Sequence, residues 1–385
     1  SQAMSLGITG YESYDFVVSD LERSRRFYVD LMDFREVARS SPDSVRATGE
    51  ESVVFRAGRI QVQVTSPLNQ RSRAARYLAW HPDGIREVSF RVKDLDAAWA
   101  QLESRGATFL GDIESHGDAT ARYRHFSIAS ALGDVAFRFV ERIDWPGFAP
   151  GFVDLVPADE GNAFDFRAID HVTVNMLTLK PVISWFRDVL GFEQFWEVQF
   201  HTEDVRKGAS GSGLKSIVMR DPHSPVKFAS NEPMKPFFDA SQITKFVEDH
   251  RGAGVQHVAF ITPAIIPAVR GMQGRGVRFL STPGTYYEQL PARLAQVEVS
   301  MSTIKEPLAE LQSLGILVDG HQEKYMLQIF LQEGGRLYDD PRAGPFFYEV
   351  IQRAGDPGFG GGNFRALFES IERDQFGRAH LEQAT

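Results

Sequence analysis

Three residues far apart in the chain sit inside apolar, strand-like runs and carry side chains that bind metals. His171 lies in Ile169-Asp170-His171-Val172-Thr173-Val174, His257 in Gly254-Val255-Gln256-His257-Val258-Ala259-Phe260, and Glu349 in Phe346-Phe347-Tyr348-Glu349-Val350-Ile351. Two neutral imidazoles and one carboxylate on one face of an ion leave open positions for a substrate and O2, a pattern that suits non-haem Fe(II). A lone histidine in an apolar strand is more often a satisfied core residue; Asp170-His171 also reads as a plain strand entry, and Gln256-His257 as a buried, hydrogen-bonded pair. The Glu349 carboxylate is harder to place as core, because burying a charge is costly unless it is paired or metal-bound. Zinc shares these ligand types, but the close His-Glu-x-x-His spacing of hydrolytic zinc sites is missing. Neither a Gly-x-Ser-x-Gly nucleophile turn nor a Gly-x-x-x-x-Gly-Lys phosphate loop is present.

Ligands this distant in sequence meet only if the fold brings three strands to one cavity, and an internal repeat shows how. Tyr14-Asp15-Phe16-Val17-Val18, the helical Leu21 to Tyr28 and then Leu31-Met32-Asp33-Phe34 match Val172-Thr173-Val174-Asn175-Met176, Val182 to Phe186 and Val189-Leu190-Gly191-Phe192. Gly84-Ile85-Arg86-Glu87-Val88-Ser89-Phe90 matches Gly254 to Phe260, and Arg105-Gly106-Ala107 matches Arg275-Gly276-Val277. The chain therefore reads as two halves, each of two strand–helix–strands modules, an α+β fold with curved sheets. Residues 4–145 form the first domain, the Pro/Gly-rich stretch 146–164 a linker, and 165–385 the second domain. In this alignment His171 corresponds to Ser13, His257 to Glu87 and Glu349 to Arg138, so only the second half is expected to bind metal.

The composition narrows the class. A chain of 385 residues holds two sizeable cores, and 43% hydrophobic with 24% charged residues is ordinary for a globular protein. Phenylalanine, at 30 residues, is the outlier and reads first as a Phe-rich core. A net charge of −9 offers no basic footprint for nucleic acid, and no apolar run reaches the length of a membrane span. Without cysteine, any metal must use His, carboxylate or other oxygen ligands. A cytoplasmic enzyme is expected. The silent first half has an obvious role in subunit packing, so a homo-oligomer is expected too.

The second half carries an ordered series of motifs: Gly213-Leu214-Lys215-Ser216-Ile217-Val218-Met219, Asn231-Glu232-Pro233, Ser241-Gln242-Ile243, Gly252 to His257, Leu314 to Asp319, Leu327-Gln328-Ile329-Phe330, Glu349-Val350-Ile351-Gln352-Arg353 and Gly358 to Phe368. In these the chain closely resembles the 4-hydroxyphenylpyruvate dioxygenase family of the vicinal-oxygen-chelate, glyoxalase-like fold group. That resemblance implies tandem βαβββ modules forming two open barrel-like domains. It implies Fe(II) on His171, His257 and Glu349, and an aromatic 2-oxo acid substrate that chelates the iron and reacts with O2. The family's substrate-lining positions fall on Ser216, Asn231, Gln242 and Gln328, with aromatic walls at Phe330, Phe347 and Phe364. Gln256 neighbours His257, so strand alternation points it to the opposite face, behind the ligand. The tail, about 359–375, reads as a helical lid carrying Asn363, Leu367 and Phe368, with the glycines 358–362 as its hinge. One departure stands out: Ala229 replaces the family's usual proline, two residues before Asn231. The sister enzyme 4-hydroxymandelate synthase, which hydroxylates the benzylic carbon of the same substrate, also departs there, whereas Phe364 keeps the dioxygenase-type aromatic. A non-catalytic ligand-binding protein on this scaffold is the remaining alternative, and such proteins lack a complete triad.

Overall fold

The computed structural model describes residues 5–201, 213–234 and 241–364. Its strands fall into two sheets. The first holds β1 (Ile8–Val17), β2 (Arg35–Ser40), β3 (Glu50–Ala57), β4 (Ile60–Pro67), β5 (Gly84–Val92), β6 (Glu114–Gly117), β7 (Arg122–Ala129), β8 (Ala136–Ile143) and β9 (Phe152–Asp154). The second holds β10 (Ala168–Asn175), β11 (Glu193–His201), β12 (Gly213–Arg220), β13 (Lys227–Pro233), β14 (Gly254–Ile261), β15 (Leu317–His321), β16 (Lys324–Phe330) and β17 (Phe347–Ala354). Their orders are β6-β7-β8-β5-β1-β4-β3-β2-β9 and β11-β12-β13-β10-β14-β17-β16-β15.

Each module closes in the same way. Its first strand pairs in parallel with its fourth, β1 with β4, β5 with β8, β10 with β13 and β14 with β17. The two first strands then pair antiparallel at the centre of each sheet, β1 with β5 and β10 with β14. The βαβββ repeat is thus the architecture of both halves. Within the stretch 146–164, Phe152–Asp154 is a ninth strand that pairs with β2.

Local sequence sets the helices between strands. Asp94 caps the helix Leu95–Ser104 by accepting from the Ala97 N–H, and Ser241 caps Gln242–His250 through the Ile243 N–H. Pro181 opens the helix Lys180–Asp188, where its missing N–H costs nothing, and Val182, Ile183 and Phe186 turn into the core.

Several of the phenylalanines pack where the halves meet. Phe137 stacks on Phe228 at 5.3 Å, Phe34 packs on Phe260 at 5.6 Å, and Tyr14 shares a 2.8 Å hydroxyl contact with Tyr348. Each buried ring contributes about 1.5–3 kcal/mol by area, and a well-placed aromatic pair about 0.5–1.5 kcal/mol more. A polar clasp lies at the edge of this seam. His81 donates from Nδ1 to the His250 carbonyl at 2.6 Å, and the two imidazoles stack at 4.5 Å.

Burial, with His81 beside it, pushes the His250 imidazole down to about 3. The unfolded residue titrates near 6.5, so as pH falls below that value the unfolded chain takes up a proton that the buried ring refuses. Stability from this group is therefore complete above pH 6.5 and is lost on acidification. His250→Gln should lower the melting temperature at pH 7 but flatten its fall between pH 7 and 5. An unchanged slope in melting curves would contradict the assignment.

Candidate metal centre

Two irregularities in the central strand pair position the histidines. In the β10–β14 register Ile169 opposes Phe260 and His171 opposes Ala259, so Asp170 has no cross-strand partner. Thr173 opposes His257 and Val174 opposes Val255, so Gln256 has none either. Each is a β-bulge, which interrupts the alternation of side chains and lets two consecutive residues work on one side of the sheet. The consequence is the same twice over. Asp170 Oδ2 lies 2.7 Å from His171 Nδ1, and Gln256 Oε1 lies 3.0 Å from His257 Nδ1. Both oxygens accept, so each Nδ1 carries the proton and each Nε2 presents its lone pair. Gln256 is thus beside its ligand rather than on the opposite face as simple alternation required, and it also lines the cavity.

Glu349 on β17 completes the group. Its Oε1 lies 3.2 Å from His257 Nε2 and 3.6 Å from His171 Nε2, and one ligand atom from each of the three falls within 4.8 Å of the others. Glu349 is only 2% exposed. Burial works to protonate it, but the two imidazoles outweigh that effect and hold it down to about 2. Burial also opposes charging His171, yet Glu349 and Asp170 win and raise its pKa, whereas burial dominates at His257 and lowers it. The His257 Nε2 atom is buried without a hydrogen-bond partner. An unsatisfied imidazole nitrogen facing an ionised carboxylate is what a divalent cation satisfies, and all three donors fit such an ion.

The repeat explains why the centre has an open side. His171 and His257 are each the fourth residue of their strands. Ala259 pairs with Glu349 and the equivalent Thr173 pairs with Ala229, so Ala229 holds the place in one module that Glu349 holds in the other. A methyl group there supplies no ligand. In the first sheet the same registers put Ser13, Glu87 and Arg138 at the three ligand positions. Glu87 accepts from Ser127 at 3.0 Å, and burial raises its pKa.

One other group among the described residues brings metal-binding atoms together, Glu114, His116 and His125 on β6 and β7. It is unlike the first. The Glu114 side chain is 66% exposed, and burial together with the Arg138 guanidinium pushes His125 down to about 3. The same positive charge opposes a cation.

Around the buried triad lies a cavity walled by Ser216, Asn231, Ala229, Phe330, Phe359 and Phe364. The Ser216 Oγ is buried without a partner, and Asn231 Nδ2 donates to Asn175 Oδ1 at 3.0 Å. Gln242 does not line this cavity. It opens onto an adjoining one, whose wall also includes Gln256 and Phe347. Phe347 stacks on the His257 ring at 4.9 Å. Gln328 braces the carboxylate instead of facing the cavity: its Nε2 donates to Glu349 Oε2 at 3.3 Å, and its Oε1 accepts from Asn363 at 2.7 Å. Asn363 is itself held by the Tyr286 hydroxyl at 2.6 Å. Gly360 is required between them, since its backbone is left-handed and a Cβ there would lie 1.9 Å from Gln328 Oε1. Leu367, Phe368 and the remainder of the tail lie outside the described residues. The sequence reading overlooked Phe359, whose ring meets His171 edge-on at 4.8 Å; its glycine-rich surroundings had marked only a hinge.

Glu349→Ala should abolish Co(II) binding in calorimetric titration while far-UV circular dichroism stays native, a larger loss than the roughly 10–100-fold that removing an outer partner costs. Glu114→Ala should leave that affinity unchanged. The reverse pattern would move the metal to the β6–β7 group.

The Glyoxalase/Bleomycin resistance protein/Dioxygenase superfamily matches residues 10–129 and 168–290. The chain is 33% identical to 4-hydroxyphenylpyruvate dioxygenase of Dictyostelium discoideum, over 97% of this chain and 100% of that protein. It is 33% identical to the Caenorhabditis elegans enzyme of the same name, over 96% of this chain and 93% of that one. Among solved structures, a triple mutant of 4-hydroxymandelate synthase from Streptomyces coelicolor superposes with a TM-score of 0.77 at 26% identity, covering 96% of this chain and 99% of that one. With the repeat, the paired bulges and the buried triad all in place, the chain belongs to the 4-hydroxyphenylpyruvate dioxygenase family within this superfamily.

Proposed function

We propose that the protein is an Fe(II)-dependent dioxygenase that converts 4-hydroxyphenylpyruvate and O2 into homogentisate and CO2, a step of tyrosine catabolism. The observation that carries this reading is the buried His171–His257–Glu349 group in a chain similar over 97% of its length to enzymes of that name. An all-nitrogen-and-oxygen donor set with an open side suits Fe(II) better than a sulfur-seeking metal. When bound, the iron supplies a Lewis-acidic, redox-active centre for a 2-oxo acid and O2.

The chain's own residues do the rest. Asp170 and Gln256 hold both imidazoles in the Nδ1–H tautomer, and Gln328 fixes the carboxylate rotamer. The apolar Ala229 leaves the substrate's chelating end unobstructed. Ser216 and Asn231 offer polar contacts to the substrate, with Gln242 reaching it from the adjoining cavity. Phe330, Phe359 and Phe364 provide walls that exclude water from the oxidising centre, with Phe347 fixing the His257 ring behind them. In this reading 165–385 is the catalytic domain and 359–375 its lid. The half 4–145, joined through 146–164, serves as scaffold and packing surface in a cytoplasmic homo-oligomer.

A second reading, 4-hydroxymandelate synthase, is favoured by Ala229 in the cavity wall; Phe364 in the same wall favours attack on the ring. Incubation with Fe(II), ascorbate, O2 and 4-hydroxyphenylpyruvate, followed by product identification, decides between them. Homogentisate is expected. 4-Hydroxymandelate would establish the second reading, and absence of both products with no CO2 release would contradict both.

A further inference from the structure

Arg353, four residues beyond Glu349 on β17, uses its guanidinium in two directions. Towards the metal centre, Nε and Nη2 donate to the two oxygens of Asp170, each at 2.8 Å, and Asp170 Oδ2 in turn accepts from His171 Nδ1 at 2.7 Å. Towards the tail, Nη1 donates to the carbonyls of Asp356 at 2.7 Å and Gly358 at 2.8 Å. The next residue is Phe359, whose ring sits 5.6 Å from the guanidinium carbon and edge-on to His171. One planar cation therefore touches both the residue that orients a metal ligand and the backbone from which the cavity's covering segment, 359–364, departs.

The first half contains a looser counterpart without the ligand, an ion pair in place of the bidentate fork. Glu12 is the unpaired residue before Ser13, as Asp170 is before His171. Arg142 follows Arg138 by four residues, its Nε is 3.2 Å from Glu12 Oε1, and its Nη2 donates to the carbonyls of Gly147, at 2.9 Å, and Phe148. The chain beyond Phe148 then pairs with β2 as β9. The anchoring of an outgoing segment by an acid–arginine clamp is thus a property of the repeat. Coupling that clamp to an imidazole occurs only where the metal ligands are.

We propose that Arg353 is a positioning residue that couples the orientation of His171 to the seating of the segment 359–364 over the cavity. The coupling rests on the metal reading above. It acts through geometry: a bidentate guanidinium fixes the Asp170 carboxylate, and any shift of the segment's root at 356–358 is felt at the His171 ring.

The test compares full-length wild type, Arg353→Lys and Arg142→Lys, each titrated with Co(II) alone and then assayed with Fe(II) and the aromatic 2-oxo acid. Lysine keeps the charge but cannot make the fork or hold two carbonyls together. Arg353→Lys should weaken Co(II) binding by roughly 10–100-fold and raise KM. Arg142→Lys, which breaks the matching clamp, should lower the melting temperature and leave Co(II) affinity and KM unchanged. Wild-type Co(II) affinity in Arg353→Lys, or an equal loss in both variants, would overturn the coupling and leave only a general structural brace. If Arg353→Lys does not fold, Asp170→Asn replaces it with the same expected loss. Failure of wild type to bind Co(II) would overturn the metal reading itself, and the coupling with it.

Discussion

A carboxylate buried to 2% exposure between two imidazoles is the constraint around which the second half is built. Such a charge is tolerable only if every neighbour is placed to answer it, because an unpaired buried ion costs several kcal/mol. Two backbone bulges do the placing. At Asp170 and Gln256 the central strands each gain one residue, so that each histidine arrives with an acceptor already on its Nδ1. Gln328 performs the same service for Glu349 from β16. The ligands are therefore oriented by the sheet itself, before any ion or substrate arrives, and sites on strands of this kind hold their geometry better than sites on loops.

Duplication supplies both the precision and the asymmetry. The modules place His171 and His257 at equivalent points, but a strictly equivalent fourth position would add a ligand opposite Glu349. Ala229 occupies it. The first half shows what the scaffold does without the chemistry: it keeps both bulges and the acid–arginine clamp, while Ser13, Glu87 and Arg138 stand where ligands would be. Scaffold and chemistry are thus separable in one chain, and the seam of phenylalanines joins the two copies.

Much of this was legible in the residues. The apolar, strand-like runs around His171, His257 and Glu349 marked strands, and the repeat located them in equivalent modules. Alternation failed at Gln256, because a bulge is a register property of two strands and leaves no mark in either alone. The same blindness hid Asp170, whose pairing with His171 and Arg353 needs β10 and β17 to be seen together. Gln242 lines the adjoining cavity, and a helix start fixes its position relative to the sheet only after packing. Gln328 was found as a site residue, but its work is on Glu349 and Asn363.

The central claim is that one metal ion binds through His171 Nε2, His257 Nε2 and Glu349, with both Nδ1 atoms committed to Asp170 and Gln256. Anomalous diffraction at the cobalt edge from Co(II)-loaded crystals tests it most directly. The account predicts a single strong peak per chain, bounded by those three side chains and open towards Ala229. A peak at Glu114, His116 and His125 instead, or an imidazole turned so that Nδ1 faces the ion, would contradict it.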